Sequence, residues 1–189
     1  MFVFKKKYFI LIENINDINL NNIKKNNKLI VIYRNNKIQE NIYELIKFRK
    51  KCKLKQIKFF VANKIDLALT LKADGIYLSS HNRNFKPLHL IRINMEIIGS
   101  AHNIKEINLK INQGCKYILL SRLFKVSYKP NMGYLGINKF NNYYNFFKKI
   151  IPLGGINLFN LNKLKMIKSE GLAIMTEAKK KPAILRRLF

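Results

Sequence analysis

Eight short runs rich in β-branched and aromatic residues recur along these 189 residues, each separated from the next by a polar or helix-patterned stretch. That alternation constrains the fold more than any other feature of the chain. The runs cover residues 8–12, 29–33, 56–61, 75–78, 96–99, 117–120, 151–153 and 172–175. Several are continuously apolar, as parallel strands covered on both faces must be. Between them, Ile42, Leu45, Ile46 and Arg49, and again Leu161, Leu164 and Ile167, follow the spacing of one helix face. Strict βα alternation through eight strands predicts one domain over residues 1–189, a somewhat shortened (β/α)8 TIM barrel rather than an open sheet. The shortening falls between strands 1 and 2, where an Asn-rich stretch stands in place of a long helix, and between strands 4 and 5, where residues 88–93 leave room for a turn or two. Pro182 is placed to open a last helix.

Hydrophobic residues make up 48% of the chain, enough for a full core at this length. The formal charge is +27, from 37 Lys and Arg against 10 Asp and Glu, a balance that ordinarily points to nucleic acid or an anionic membrane. Here the lysines are spread from Lys5 to Lys181 and travel with heavy use of Asn and Ile, the joint signature of an AT-rich coding bias. They read as solvated surface and helix-end cations, so neither nucleic acid nor a membrane is expected as a partner. The same field draws anionic substrates inward. Cys52 and Cys115 fit neither a disulfide framework nor a metal-ligand spacing, which suits a reducing cytoplasm. No apolar run approaches membrane-spanning length, and residues 8–12 are too short for a signal-peptide core. Association into a homo-oligomer is left open.

In a barrel of this kind the functional residues sit at the C-terminal ends of the strands. Those positions hold Glu13 and Asn14, Arg34, Asn63, residues 79–82, Ser100 to His102, residues 121–129, Gly154 and Gly155, and Thr176. The set is basic and polar with few carboxylates, which suits an anionic ligand and gives little support for a divalent metal. Phosphate in such barrels is usually held by the loops after strands 7 and 8. Residues 151–157 (Ile-Pro-Leu-Gly-Gly-Ile-Asn) and 171–176 (Gly-Leu-Ala-Ile-Met-Thr) each supply an apolar strand ending in small or hydroxyl residues. Residues 121–136 form a long connection of the kind used as a lid or binding loop. Lys129 within it is either a point charge for phosphate or an ordinary solvated lysine. His102 lies between strand 5 and a helical stretch, Ile104–Asn112. Two roles are open for it: a proton shuttle near neutral pH, or a cap or pad at the helix start. His81 and His89 read as structural or exposed.

Together these positions resemble the thiamine phosphate synthase and TenI family. Three blocks carry the resemblance, in the family's order. The first is Val61-Ala62-Asn63-Lys64-Ile65-Asp66-Leu67-Ala68-Leu69 continuing to Ala73-Asp74-Gly75-Ile76-Tyr77-Leu78. The second is Ile98-Gly99-Ser100-Ala101-His102-Asn103, similar to the family's strand 5 signature with one residue deleted. The third is Gly154-Gly155-Ile156 with residues 171–178, similar to its thiazole-phosphate cup. The resemblance implies a TIM barrel whose ligand is a hydroxyethylthiazole phosphate or its carboxylated precursor.

The departures matter as much. A synthase of this family joins a pyrimidine pyrophosphate to the thiazole phosphate and holds magnesium on aspartates at the positions that Asn63 and Asn82 occupy here. Neutral amides lack the charge for that task. The synthase's strand 2 glutamine corresponds to Ile32, and its Arg-x-Lys reads Arg34-Asn35-Asn36 with Lys37 one place late. Lys129, Gly154, Gly155 and Thr176 keep the phosphate half. This pattern resembles the TenI branch, whose members move a proton on the thiazole ring, and His102 matches the histidine assigned to that transfer. The expected function is therefore a metal- and cofactor-free thiazole tautomerase with His102 catalytic. Arg34, Lys129, Gly154, Gly155 and Thr176 would bind the substrate, and Asn63, Asn82 and Ser100 would line a second half-site. The alternatives are a divergent synthase, which would need Mg2+, and a barrel that binds thiazole or thiamine phosphate without catalysis.

Overall fold

The computed structural model describes residues 6–35, 41–126 and 131–175. Eight parallel strands close into a barrel in chain order: β1 (Lys7–Ile12), β2 (Leu29–Tyr33), β3 (Lys58–Ala62), β4 (Gly75–Leu78), β5 (Glu96–Ala101), β6 (Tyr117–Ser121), β7 (Ile150–Leu153) and β8 (Gly171–Ile174). The pairing of Lys7 with Gly171 and of Ile10 with Ile174 closes the ring. Helices α1 (Ile42–Leu54), α2 (Ile65–Thr70), α3 (Ile104–Asn112) and α4 (Gly136–Phe146) follow β2, β3, β5 and β6. The TIM barrel expected from the alternation is the observed fold. Short 3-10 turns at Ile15–Asp17 and Leu20–Asn22 follow β1, and Lys86–Ile93 follows β4, which are the two places where the sequence has too little room for a long helix.

Period-two alternation divides the strand residues between two cores. Phe9, Leu11, Ile30, Ile32, Phe60, Tyr77, Ile98, Leu119 and Ile151 fill the barrel interior. Tyr8, Ile10, Ile12, Val31, Phe59, Val61, Ile76 and Ile118 face the surrounding helices. Rings inside are matched by absent side chains opposite. A Cβ at Gly75 would lie 2.3 Å from the Phe60 ring, and one at Gly171 would lie 3.0 Å from the Phe9 ring. The interior is thus a packed layer structure and not a pore.

Two local expectations need correcting. The third strand begins at Lys58 rather than at residue 56, because Gln56 (φ 59°) belongs to the cap of α1. Its N–H donates to the Lys53 carbonyl at 3.0 Å and that of Ile57 to Cys52 at 2.9 Å, the Schellman pattern with a glutamine in the usual glycine position. Leu158–Met166 is a run of 3-10 turns and not an α-helix. Residues 161, 164 and 167 repeat every three, which is the period of a 3-10 turn, and all three are buried.

The face at the N-terminal ends of the strands is held by carboxylates. Arg49 donates to Asp74 at 3.0 Å, Asp74 accepts the Phe59 N–H at 2.7 Å, and Glu96 pairs with Lys58 at 2.9 Å and with Lys116. These groups brace the barrel on the side away from the polar mouth. Cys52 and Cys115 are free and buried, and burial pushes both thiols up to about 12, so they are inert packing groups. No described helix is long and apolar enough to cross a membrane.

Candidate active site at the C-terminal mouth

The ends of β3 and β4 bring Asn63 and Asn82 together. Asn63 turns out of β3 in a left-handed conformation (φ 59°), which asparagine tolerates better than most residues, and its N–H donates to the Tyr77 carbonyl at 2.8 Å. Its side-chain oxygen accepts from the Ser79 N–H and from the Asn82 amide, each at 3.0 Å. Its own amide reaches the Ser79 hydroxyl at 3.3 Å. The pair therefore forms a closed clasp. A magnesium ion needs oxygens, preferably charged, and here one oxygen is already engaged by two donors while Asn82 presents an N–H. Among the described residues no group of three or more His, Cys, Asp or Glu could hold a metal. The donor set does not fit magnesium.

Beneath the mouth, Ser100 on β5 is 6% exposed and lies near the buried Tyr77 phenol. Burial pushes the Tyr77 phenol up, more than the nearby Ser100 hydroxyl and Arg34 charge pull it down, so this ring stays neutral. Ser100, one of the residues expected to line a second half-site, is thus buried near the C-terminal end of β5. Arg34 leaves β2 with its backbone N–H on the Ile12 carbonyl at 2.8 Å. Its Nε is buried without a hydrogen-bond partner.

His102 leaves β5 with an exposed imidazole. The structure separates its two expected roles. The cap of α3 is Asn103, whose side chain accepts the Glu106 N–H at 2.9 Å, while the His102 backbone N–H donates to Glu106 Oε2 at 2.8 Å. The imidazole instead turns to the end of β6, with Nδ1 2.9 Å from the Ser121 hydroxyl and 3.3 Å from the Ser121 carbonyl. With the Nδ1 edge engaged, Nε2 is the edge presented to a ligand.

After β7, Gly154 (φ 93°) and Gly155 (φ 71°) both take left-handed conformations closed to most side chains. A Cβ at Gly155 would meet the Phe124 carbonyl oxygen at 2.4 Å, and one at Gly154 would meet the Arg122 side chain at 3.3 Å. Asn160 fixes the turn by donating to the Gly155 carbonyl at 2.7 Å. Lys129 and Thr176 lie outside the described residues.

Sequence reasoning placed residues 121–129 at the mouth without singling out Ser121 or Arg122. Ser121 is the partner of His102. Arg122 lies against Gly154, reaches the Met132 sulfur at 3.3 Å, and has a buried Nε with no hydrogen-bond partner. Only the closure of β5, β6 and β7 side by side makes these two residues visible as part of a site.

The architecture defines a (β/α)8 barrel protein with polar and basic residues gathered at the C-terminal mouth. Within that class, a family model described as thiamine monophosphate synthase matches residues 10–178, and the chain belongs to that family. Thiamine-phosphate synthase of Prochlorococcus marinus is 32% identical over 133 residues, 66% of this chain and 36% of that protein. The protein of the same name from Prochlorococcus marinus subsp. pastoris is 34% identical over 132 residues, 67% of this chain and 37% of that protein. The matched region thus spans little more than a third of those relatives. Among solved structures, a thiamine phosphate pyrophosphorylase from Pyrococcus furiosus superposes with a TM-score of 0.73 at 18% identity, covering 97% of this chain and 95% of that one. A 3-keto-L-gulonate-6-phosphate decarboxylase from Vibrio cholerae superposes at 0.63 with 12% identity, covering 97% of each chain, which reflects the shared barrel.

Proposed function

We propose that this chain is an enzyme of thiamine biosynthesis that takes a phosphorylated thiazole into the mouth formed by β5, β6 and β7. The observation that carries this reading is the Gly154–Gly155 turn: two left-handed glycines after β7, the first against the stem of Arg122, in a chain of this family. A glycine turn that leaves backbone N–H groups free, with an arginine on the adjacent strand end, suits a phosphate. Lys129 and Thr176, by resemblance, complete the phosphate contacts. Arg34, at the end of β2, would take a second anionic group through its guanidinium.

Two chemistries are consistent with such a ligand. The names of the relatives favour coupling of the thiazole to a pyrimidine pyrophosphate, and nothing in those names speaks for isomerisation. One local feature favours proton transfer on the thiazole instead. The Asn63–Asn82 clasp does not fit the magnesium that coupling would use, whereas His102, held at Nδ1 by Ser121, presents Nε2 as an acid–base group that needs no metal. Under either chemistry the enzyme works in the cytoplasm on a small molecule, without nucleic acid or membrane.

The test is a pair of assays on the purified chain. One follows magnesium-dependent formation of thiamine phosphate from the two halves; the other follows isomerisation of the non-aromatic thiazole precursor. Coupling at saturating magnesium would establish the synthase reading, and isomerisation lost in His102→Ala would establish the tautomerase reading. Failure of both, together with no calorimetric binding of hydroxyethylthiazole phosphate, would end the proposal.

A further inference from the structure

Lys110 is the only charged residue recorded as buried among the described positions, with 0% exposure in the layer between α3 and the barrel. Packing alone does not call for it. A leucine or methionine would fill the same space without the cost of desolvating an ammonium. The barrel also leaves room for its stem, since a Cβ at Gly99 on β5 would lie 2.7 Å from Lys110 Cδ. The ammonium donates to the Asn82 carbonyl at 2.7 Å and to Gln113 Oε1 at 2.8 Å. Gln113, 1% exposed, in turn donates to the Asn82 carbonyl at 3.2 Å and to the Asn84 carbonyl at 2.7 Å. Two side chains from α3 and its C-terminal cap thus converge on the loop after β4.

The other end of that loop residue is the clasp. Asn82, gripped through its carbonyl, extends its amide to Asn63 Oδ1 at 3.0 Å. A turn earlier on the same helix, Glu106 accepts the His102 N–H and the Asn103 amide. Residues 106, 110 and 113 follow the i, i+4, i+7 spacing of one helix face, so a single face of α3 anchors both the histidine loop and the clasp loop.

We propose that Lys110, together with Gln113, is a positioning residue that fixes the Asn63–Asn82 clasp at the mouth through the Asn82 carbonyl. The assignment rests on reading Asn63 and Asn82 as part of the ligand site. It adds to that reading a buried cation outside the barrel, on which the clasp geometry depends.

The experiment uses the full chain labelled with 15N and reads side-chain amide resonances in wild type and Lys110→Met. The Asn63 and Asn82 amide signals should shift or broaden, and exchange of the Ser79 N–H, which donates to Asn63 Oδ1, should quicken roughly tenfold or more. The Asn160 amide, bonded to the Gly155 carbonyl across the mouth, serves as an internal control and should stay unchanged. If the clasp signals move no more than Asn160, or all move together, the proposal is overturned. Should Lys110→Met fail to fold, Gln113→Leu removes the bonds to both Asn82 and Asn84 and must give the same localised response. Neither measurement involves a substrate, so failure of the thiazole reading would be seen separately in the binding and turnover assays.

Discussion

The hydroxyl of Ser121, at the end of β6, lies 2.9 Å from Nδ1 of His102, which follows β5. Two adjacent strands thereby aim one imidazole, and the loss of either partner should have different consequences. If His102 moves the proton, His102→Ala should lower isomerisation by about a hundredfold or more while leaving thiazole phosphate affinity nearly unchanged. Ser121→Ala leaves the Ser121 carbonyl in reach of Nδ1, so a smaller loss of roughly tenfold is expected. Steady-state rates and calorimetric titration on both variants provide the check; equal losses in the two would argue against this division of roles.

The two glycines after β7 should not be equivalent. At Gly155 a methyl group would meet backbone atoms of Phe124 and Lys125 at 2.4–2.7 Å, and backbone cannot step aside cheaply. At Gly154 the neighbour is the flexible Arg122 side chain at 3.3 Å. Both substitutions carry the strain of a left-handed conformation, about 1–3 kcal/mol, but Gly155→Ala adds a steric clash. Urea unfolding should therefore rank Gly155→Ala below Gly154→Ala in stability.

The Asn63–Asn82 clasp makes a prediction about metal. Wild-type protein should show no change in Tm on adding Mg2+, because the clasp offers amides already bonded to each other. In Asn63→Asp/Asn82→Asp, two carboxylates would replace an N–H···O contact of 3.0 Å, and their repulsion should lower Tm in the absence of metal. Added Mg2+ should then restore it. Thermal melts with and without the ion test both statements, and a magnesium-dependent rise in the wild type would contradict the first.

Glu96 supports a prediction about acid. Burial acts to raise its carboxyl, but the hydrogen bonds and charges of Lys116 and Lys58 outweigh it and hold the group below the ordinary value of 4.5. A carboxyl lowered on folding contributes stability above its unfolded value, and the contribution disappears as pH falls through the folded one. Glu96→Gln should therefore cost about 1 kcal/mol at pH 7, given that both lysines are partly solvent-exposed. The difference from wild type should be smaller at pH 3. Urea titrations at the two pH values measure it.

Much of this molecule was legible before any coordinates. Leu29–Tyr33 and Gly75–Leu78 are strands with the bounds the sequence predicted, and Ile104–Asn112 is the predicted helix. Where reading failed, a local conformation was responsible. Gln56 reads as the start of the strand because the Ile57–Val61 run follows it, yet it takes the positive φ of a helix cap. The role of His102 could not be decided from its position, since capping and proton transfer both need a polar residue before a helix. In the structure Asn103 caps the helix, and the His102 imidazole turns to Ser121, nineteen residues away. Lys110 carried a signal that went unread: it lies one turn after Glu106 and on the same buried helix face as Ile107.

The sequence by itself determined the barrel, because strand and helix periods are properties of neighbouring residues, and eight alternations leave few ways to bury the apolar faces. It also placed Arg34, Asn63, His102, Gly154 and Gly155 after strand ends, where the structure has them. Only the tertiary structure decided how those residues face one another: that Asn63 and Asn82 bond to each other, that Ser121 holds His102, and that a buried lysine on α3 grips the loop after β4. Such contacts join residues nineteen to twenty-eight positions apart. They exist because closure of the barrel sets adjacent strand ends side by side, a condition that no local pattern in the chain encodes.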